Sequence, residues 1–208
     1  VAACHNLKAC DIIILAETRL HSGDSDDDYR IPGFAQMFRN DQEQSNVNRP
    51  SHGLIMYVKE GIQVLDQGRS ISTPGFEAMS ICVRKRGCNV PTQLMGVYVS
   101  PQCKWHTLES RMMQLFQMND IVNTKTIILG DFNMKSIASV QHPRYNERLE
   151  KWMLEHHNMR QFVKQSTTKE GSILDLCFTA NIQTVTTIWN HWSDHKIVGV
   201  AFNDIGGY

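Results

Sequence analysis

The chain has 208 residues with 21 basic and 21 acidic side chains, and 41% of its residues are hydrophobic. This length suits one domain with a substantial core, and we expect a single domain over residues 1–208. Zero formal net charge excludes a protein that binds nucleic acid through overall positive charge, although a local basic surface remains compatible with it. No apolar run reaches membrane-spanning length, so we expect no membrane partner.

The six cysteines are scattered along the chain, and none of them pairs at the two-residue gap typical of zinc sites. Several lie within apolar runs, which favours reduced, buried thiols over a disulfide framework. Such thiols are typical of intracellular proteins, and we therefore predict an intracellular location.

The apolar pattern predicts many short strands and few helices. Helical periodicity predicts a helix end at residues 3–9 and amphipathic helices at about 105–122 and 145–157. Alternating or continuous apolar runs predict strands over residues 11–16, 34–39, 53–59, 62–65, 78–84, 93–99, 126–129, 172–179, 183–188 and 196–202. This order predicts an α/β architecture of two packed sheets flanked by helices.

One stretch places two polar residues directly after a buried strand. Residues 126–129 form a β-branched apolar run, Gly130 ends it, and Asp131 and Asn133 follow. In extended geometry residues two apart project to the same side, so both side chains can point into one space. Gly-Asp-x-Asn alone is more often a turn. Because functional groups of α/β folds collect at strand ends, the pair gains weight from matching residues elsewhere.

Polar residues that do not belong in a core stand at other strand ends: Glu17, Tyr98, Asp175, Ser193, Asp194 and His195. Asp175 lies within the apolar segment 172–179, where a carboxylate is costly without a partner. A histidine held in one tautomer is a natural partner for it, and His195 is the candidate. The set as a whole is hard to explain as helix caps and turns.

Six segments in this order, ETRL, GLIMYVKEG, GVYVSP, ILGDFN, SILDLCFT and SDHKIV, resemble the endonuclease/exonuclease/phosphatase superfamily. Within it, they look most like the endonuclease domain of non-long-terminal-repeat (LINE-type) retrotransposons. The resemblance covers nearly the whole chain, and GDFN and SDH are its most distinctive segments. It implies a four-layer α/β sandwich, with two packed mixed sheets flanked by helices, and metal-dependent hydrolysis of a phosphodiester.

The resemblance also implies roles for the polar residues at the strand ends. Glu17 would be the principal ligand of Mg²⁺ (or Mn²⁺), a hard cation that prefers oxygen ligands, and Asp194 would complete the metal or water network. Asp131 would orient or deprotonate the attacking water, with Asn133 beside it holding the phosphate. These residue types suit the chemistry, because a phosphodiester is an anion whose charge grows as water attacks it.

The remaining roles concern the phosphate. His195, oriented by Asp175, would contact the scissile phosphate and stabilise its growing charge, and Tyr98 would bind the phosphate or aid the leaving oxygen. Thr168 and Ser193 match weaker family positions that contact phosphate.

Double-stranded DNA is the expected partner. The candidate DNA contacts are Arg19 and two residues, Lys85 and Arg86, at the tip of the hairpin between residues 84 and 92, which we expect to enter a groove. Because such contacts are mainly to phosphates, binding should weaken steeply with salt. A domain of this kind would be a monomeric part of a larger polyprotein with a reverse transcriptase or helicase, and it would act in the nucleus.

The family pattern opens with a strand that bears an Asn, and this strand would lie before Val1. We therefore expect the first strand to be missing from this chain, and weak or no activity from the chain by itself. Three alternatives to a nicking endonuclease remain open. They are an abasic-site endonuclease, another phosphodiesterase of the same fold, and a non-catalytic DNA- or protein-binding derivative that lost the first strand.

Overall fold

A computed structural model describes residues 5–41, 52–119, 124–134, 145–180, 184–188 and 193–201. The helices are α1 (His5–Lys8), α2 (Trp105–Gln117) and α3 (Tyr145–His157), with a short 3₁₀ helix at Asp26–Tyr29. The strands are β1 (Ile12–Ala16), β2 (Phe34–Asn40), β3 (Leu54–Lys59), β4 (Ile62–Val64), β5 (Arg69–Thr73), β6 (Phe76–Lys85), β7 (Thr92–Val99), β8 (Lys125–Asp131), β9 (Arg160–Gln161), β10 (Asp175–Thr179), β11 (Thr184–Ile188) and β12 (Ile197–Ala201).

The strands pair into two sheets and a two-stranded ribbon. A three-stranded antiparallel sheet has the order β1-β3-β2. A seven-stranded sheet has the order β4-β6-β7-β8-β10-β9, with β5 also paired to β6. The pairing of β7 with β8 is parallel, so this sheet is mixed, and α2 makes the crossover that a parallel pair requires. The ribbon joins β11 to β12.

Three apolar layers hold these sheets and helices together. Helices α2 and α3 pack through residues such as Leu108 and Leu149 against one face of the seven-stranded sheet. Its other face packs on the three-stranded sheet, where Met56 meets Ile81. A third cluster, which includes Ile55, covers the outer face of the small sheet. The predicted α/β sandwich of two sheets flanked by helices is confirmed, with one sheet mixed and the other antiparallel.

Two strands, one helix boundary and the start of β10, at Asp175 rather than at residue 172, differ from the sequence-based prediction. Strands β5 and β9 were not predicted, because one is rich in polar residues and the other has only two residues. Helix α2 ends at Gln117 rather than near residue 122. The reason is Asn119, whose Nδ2 donates to the carbonyl of Leu115 at 2.6 Å while its Oδ1 accepts from Ser80 Oγ and Gln93 Nε2. This buried network closes the helix.

Two further sequence-based predictions concern the cysteines and membrane-spanning segments. The cysteines at positions 10, 82, 88, 103 and 177 are thiols, as predicted, but only Cys177 is buried and the other four are partly exposed; Cys4 lies outside the described residues. No helix in the part of the chain that the structure describes is both long and apolar enough to cross a membrane.

Gly130 allows β7 and β8 to approach closely beside the polar strand ends. A Cβ atom at this position would overlap the carbonyl oxygen of Val97 and lie 2.7 Å from its carbonyl carbon. These are backbone atoms, which cannot move without separating the two strands. A Cβ at Gly96 would instead meet the ends of two side chains, Met56 Cε at 2.8 Å and Ile14 Cγ2 at 2.9 Å.

We therefore predict that Gly130→Ala is much more destabilising than Gly96→Ala. Overpacking against fixed backbone should lower the free energy of unfolding by about 3 kcal/mol or more, whereas movable side-chain ends should limit the loss at Gly96 to about 1 kcal/mol. Urea denaturation of the two variants and the parent protein measures both values. Equal losses in the two variants would contradict the close approach of these strands.

Candidate active site

One row of polar side chains crosses four neighbouring strands of the seven-stranded sheet. The strand register pairs Glu77 with Tyr98, Tyr98 with Asp131, and Asp131 with Asp175. Residues paired across adjacent strands project to the same face of a sheet. This face packs on the three-stranded sheet, because Ile127, on the same side of β8 as Asp131, belongs to that apolar layer. The row therefore lies at one end of the space between the sheets.

Asp175 and His195 form the closest charged pair of the site. Asp175 Oδ2 lies 2.8 Å from His195 Nδ1, which confirms the predicted pairing. This hydrogen bond is the main reason that the pKa of His195 rises to about 9, and burial opposes it. His195 therefore carries a positive charge at neutral pH. Asp175 itself differs from expectation in one respect, since it begins β10 rather than lying inside an apolar strand.

The loop before β10 holds this pair in place. Thr167 Oγ1 accepts hydrogen bonds from the backbone N–H groups of Leu174 and Asp175, at 3.0 and 3.2 Å. The carbonyl of Thr167 accepts from the N–H of Lys196 at 2.7 Å. One buried threonine thus ties the start of β10 to the segment that carries His195.

The two residues predicted to contact phosphate, Thr168 on this loop and Ser193 beside His195, have local structural partners. Thr168 is 4% exposed, pairs with His195 through an isolated β-bridge, and accepts the N–H of Ser172 on its hydroxyl at 3.0 Å. Ser193 Oγ accepts the N–H of His195 at 3.0 Å and donates to Asp194 Oδ1 at 3.4 Å. The structure places Thr168 inside the loop rather than at an open surface, and Ser193 beside the exposed Asp194.

Asn133 fixes the carboxylate of Asp131. The backbone N–H of Asn133 donates to Asp131 Oδ1 and its Nδ2 donates to Oδ2, each at 2.9 Å. This requires a left-handed backbone at Asn133, with φ of 47°, which asparagine tolerates well. Asp131 is 7% exposed, and burial, followed by the charge of Asp175, raises its pKa to about 7, while His195 and Asn133 oppose the shift. At neutral pH this carboxyl is close to its titration midpoint.

Tyr98 links the row to Glu17. The phenol is 1% exposed, and burial raises its pKa, followed by a hydrogen bond with Glu17 and the charges of Glu17 and Asp131. Tyr98 therefore stays protonated and donates to Glu17. The structure shows the hydroxyl supporting a carboxylate at the surface.

The donor set suits a divalent cation. Asp131, Asp175 and His195 offer ligand atoms that all lie within 4.8 Å of one another. Burial, followed by the charge of Asp175, raises the pKa of Asp131, and a nearby cation would favour the charged form of this carboxyl. Within this group, Nδ1 of His195 is already bonded to Asp175. Glu17 and Asp194, the two ligands that the family resemblance implies, are not in this group of three.

The predicted DNA contacts fall at two different places. Arg19 is exposed and lies two residues from Glu17, close to the row. Lys85 and Arg86 lie at the opposite end of the sheet, because β7 runs from the hairpin tip toward Tyr98. Lys85 Nζ also binds Asp11 Oδ2 at 2.9 Å. The structure does not bring these two cations to the site, so they cannot contact a phosphate held there, and a contact elsewhere along DNA stays a prediction.

Glu77 is a site residue that the sequence analysis missed. It is 2% exposed, its Oε2 accepts the N–H of Gly53 at 2.8 Å, and its Oε1 lies 3.1 Å from His52 Nδ1. Burial raises the pKa of Glu77, whereas the bonds with Gly53 and His52 lower it. The signal was present, since a glutamate within the apolar segment FEAMSICV needs a partner for the same reason that Asp175 does.

Comparison with protein families gives one match. Residues 92–199, just over half of the chain, match the family model described as endonuclease-reverse transcriptase. This segment contains Tyr98, Asp131, Asp175 and His195. No curated protein matches the chain.

Solved structures of the endonuclease/exonuclease/phosphatase superfamily share the fold. A protein of that superfamily from Beutenbergia cavernae has a TM-score of 0.68 at 13% identity, over 95% of this chain and 63% of that chain. D. rerio TDP2, complexed with a single-strand DNA product, has a TM-score of 0.61 at 14% identity, over 92% and 85%. The endonuclease domain of TRAS1, a telomere-specific non-LTR retrotransposon, has a TM-score of 0.56 at 14% identity, over 77% and 75%.

Proposed function

The chain belongs to the endonuclease-reverse transcriptase family, within the endonuclease/exonuclease/phosphatase superfamily, and from this premise we propose that it is a metal-dependent endonuclease that nicks double-stranded DNA. The observation that carries the proposal is the placement of Asp131 within 4.8 Å of a charged Asp175–His195 pair. A carboxylate poised near neutral pH beside a protonated histidine provides a base for water and a donor for phosphate oxygen.

The residues of the row would divide the hydrolysis of a phosphodiester among them. Asp131, fixed by Asn133, would take a proton from the attacking water. His195, held through Nδ1 by Asp175, would donate from Nε2 to a phosphate oxygen as its negative charge grows. Tyr98 would keep the Glu17 carboxylate in place.

A bound Mg²⁺ or Mn²⁺ supplies positive charge that offsets the charge of the phosphodiester as water attacks it. Glu17 and Asp194 would hold this cation, as the family resemblance implies, and the charge of Glu17 already acts on Asp131. Two ligands at the surface are consistent with a cation that keeps several water ligands, as Mg²⁺ usually does.

The fold neighbours support the substrate that we propose. The TRAS1 neighbour is a retrotransposon endonuclease, and TDP2 is complexed with a DNA strand, which supports DNA as the substrate. The family description pairs an endonuclease with a reverse transcriptase, so we propose that this domain works as a monomer within a polyprotein that acts in the nucleus.

Nicking of supercoiled plasmid tests the proposal. We expect Mg²⁺-dependent conversion to open circles that EDTA and Asp131→Ala both abolish, and we expect the rate to fall steeply as salt rises. A duplex with one abasic site should be cut no faster than intact DNA. If the protein folds and binds DNA yet does not nick it, the non-catalytic alternative replaces this proposal.

A further inference from the structure

The carboxylate of Glu17 stands on a turn with an unfavourable backbone. Glu17 and Arg19 both have positive φ, at 55° and 56°, although neither is glycine or asparagine. Such a conformation is strained for these residues and persists only when the surroundings enforce it. The turn therefore needs support from outside its own sequence.

That support comes from the two residues before β3. The N–H of Thr18 donates to the carbonyl of Gly53 at 3.2 Å, and the N–H of Arg19 donates to the carbonyl of His52 at 2.9 Å. Gly53 has a φ of 105°, and a Cβ atom there would overlap Thr18 Oγ1. The segment of His52 and Gly53 thus fits closely against the turn.

The carboxylate of Glu77 holds the segment of His52 and Gly53 in place. Its Oε2 accepts the N–H of Gly53 at 2.8 Å, and its Oε1 lies 3.1 Å from the ring of His52. Ser72, its cross-strand partner on β5, adds a further hydrogen bond. A carboxylate with 2% exposure cannot reach a substrate, so its role must act through the groups that it touches.

Side-chain contacts also connect Glu77 to Glu17, through His52 and Tyr98. The ring of His52 packs edge-on against Tyr98, with centroids 6.0 Å apart and planes at 77°. Tyr98 donates its hydroxyl to Glu17. Glu77 and His52 therefore support both the backbone and the side chain of Glu17.

We propose that Glu77 is a positioning residue, which acts through Gly53 and His52 to hold Glu17 in the orientation that cation binding requires. The inference rests on the proposed function, because Glu17 is a cation ligand only under that proposal. The positioning depends on the length of the Glu77 side chain, because its acceptor oxygen must extend from β6 to the N–H of Gly53.

Two substitutions at Glu77 separate the effect of side-chain length from the effect of charge. Glu77→Gln keeps the length of the side chain and one acceptor oxygen for Gly53, and it removes the charge. Glu77→Asp keeps the charge and withdraws it by one methylene. Ser80→Ala is the matched control, because Ser80 is fully buried on the same strand and loses a hydrogen bond to Asn119 far from the turn.

Three readouts apply to each variant: amide hydrogen exchange, Mn²⁺ affinity by electron paramagnetic resonance, and nicking rate. We expect Glu77→Asp to speed exchange at Thr18 and Arg19 about tenfold while Ile14 stays protected, because only the turn loses support. Mn²⁺ affinity should fall about tenfold and nicking roughly 10- to 100-fold, as for other residues that orient cation ligands. Glu77→Gln and Ser80→Ala should stay within about threefold of the parent protein in all three.

The outcomes distinguish this inference from the proposed function. Equal loss in Glu77→Asp and Glu77→Gln, or faster exchange at Ile14 as well as at the turn, would overturn the positioning role. A parent protein that neither binds Mn²⁺ nor nicks DNA would refute the proposed function. In that case hydrogen exchange at Thr18 and Arg19 still decides whether Glu77 holds the turn.

Discussion

Asp131→Asn should abolish nicking and, at the same time, stabilise the cation-free protein above pH 7. Loss of the base should lower the nicking rate roughly 10³-fold. The gain in stability follows from the pKa of Asp131, which is about 7 in the folded protein and about 3.8 when unfolded. Between these values the folded state binds more protons than the unfolded state, so stability falls as pH rises and stays low above pH 7. Asn removes the ionisation that causes this loss.

Thermal unfolding in EDTA measures the effect. At pH 8 the variant should be more stable than the parent protein by about 4 kcal/mol, or roughly 12 °C in Tm, and at pH 4 the difference should be small. Asp27→Asn, which changes an exposed carboxylate paired with Arg30, should alter neither stability nor nicking. A variant that is less stable than the parent at pH 8 would show that the buried charge of Asp131 is already compensated.

Asp175→Asn should lower the pKa of His195, so that the histidine loses its positive charge at pH 8. The hydrogen bond that His195 donates to Asp175 is the main reason for the pKa of about 9, so in the variant the pKa of His195 should return toward the ordinary value of about 6.5. At pH 8 the histidine would be neutral, and nicking should fall about 10²-fold. At pH 6 the loss relative to the parent protein at the same pH should be small, because the histidine of the variant is protonated again.

The midpoint for His195 can be read by NMR from its ring proton across pH 5–10. The sign of the effect on stability is fixed as well. A raised histidine pKa stabilises the parent protein fully below about pH 6.5, and this contribution is lost as pH rises through about 9. Asp27→Asn again serves as the surface control. An unchanged midpoint in the Asp175 variant would mean that other groups set the charge of His195.

Much of the fold and part of the site could be predicted from the sequence, because they depend on burial. The apolar runs that become β1, β3, β7 and β8 are continuous enough to identify buried strands, and α3 was predicted with its observed bounds. The pairing of Asp175 with His195 followed from the cost of a buried carboxylate. The same argument applied to Glu77, but a partner such as His52, in a polar loop, cannot be found without the register that brings the loop to the strand.

The hairpin shows a different limit. Its two cations, Lys85 and Arg86, suggested a DNA contact by composition alone. Strand direction already opposed a contact at the site, because about seven residues of extended chain, roughly 20 Å, separate the tip from Tyr98. Charge composition indicates what a surface can bind, and topology decides where that surface lies.

The row from Glu77 to Asp175 is set by strand pairing and not by the loops that join the strands, which has a consequence for changes in chain length. Residues inserted after Lys85, at the far end of the sheet, would leave every member of the row in place. A single residue inserted within β8 ahead of Asp131 would turn its carboxylate to the helix side of the sheet and remove Gly130 from its contact with Val97. Relatives that keep the activity are therefore expected to differ freely in hairpin length and to conserve the lengths of β7 and β8.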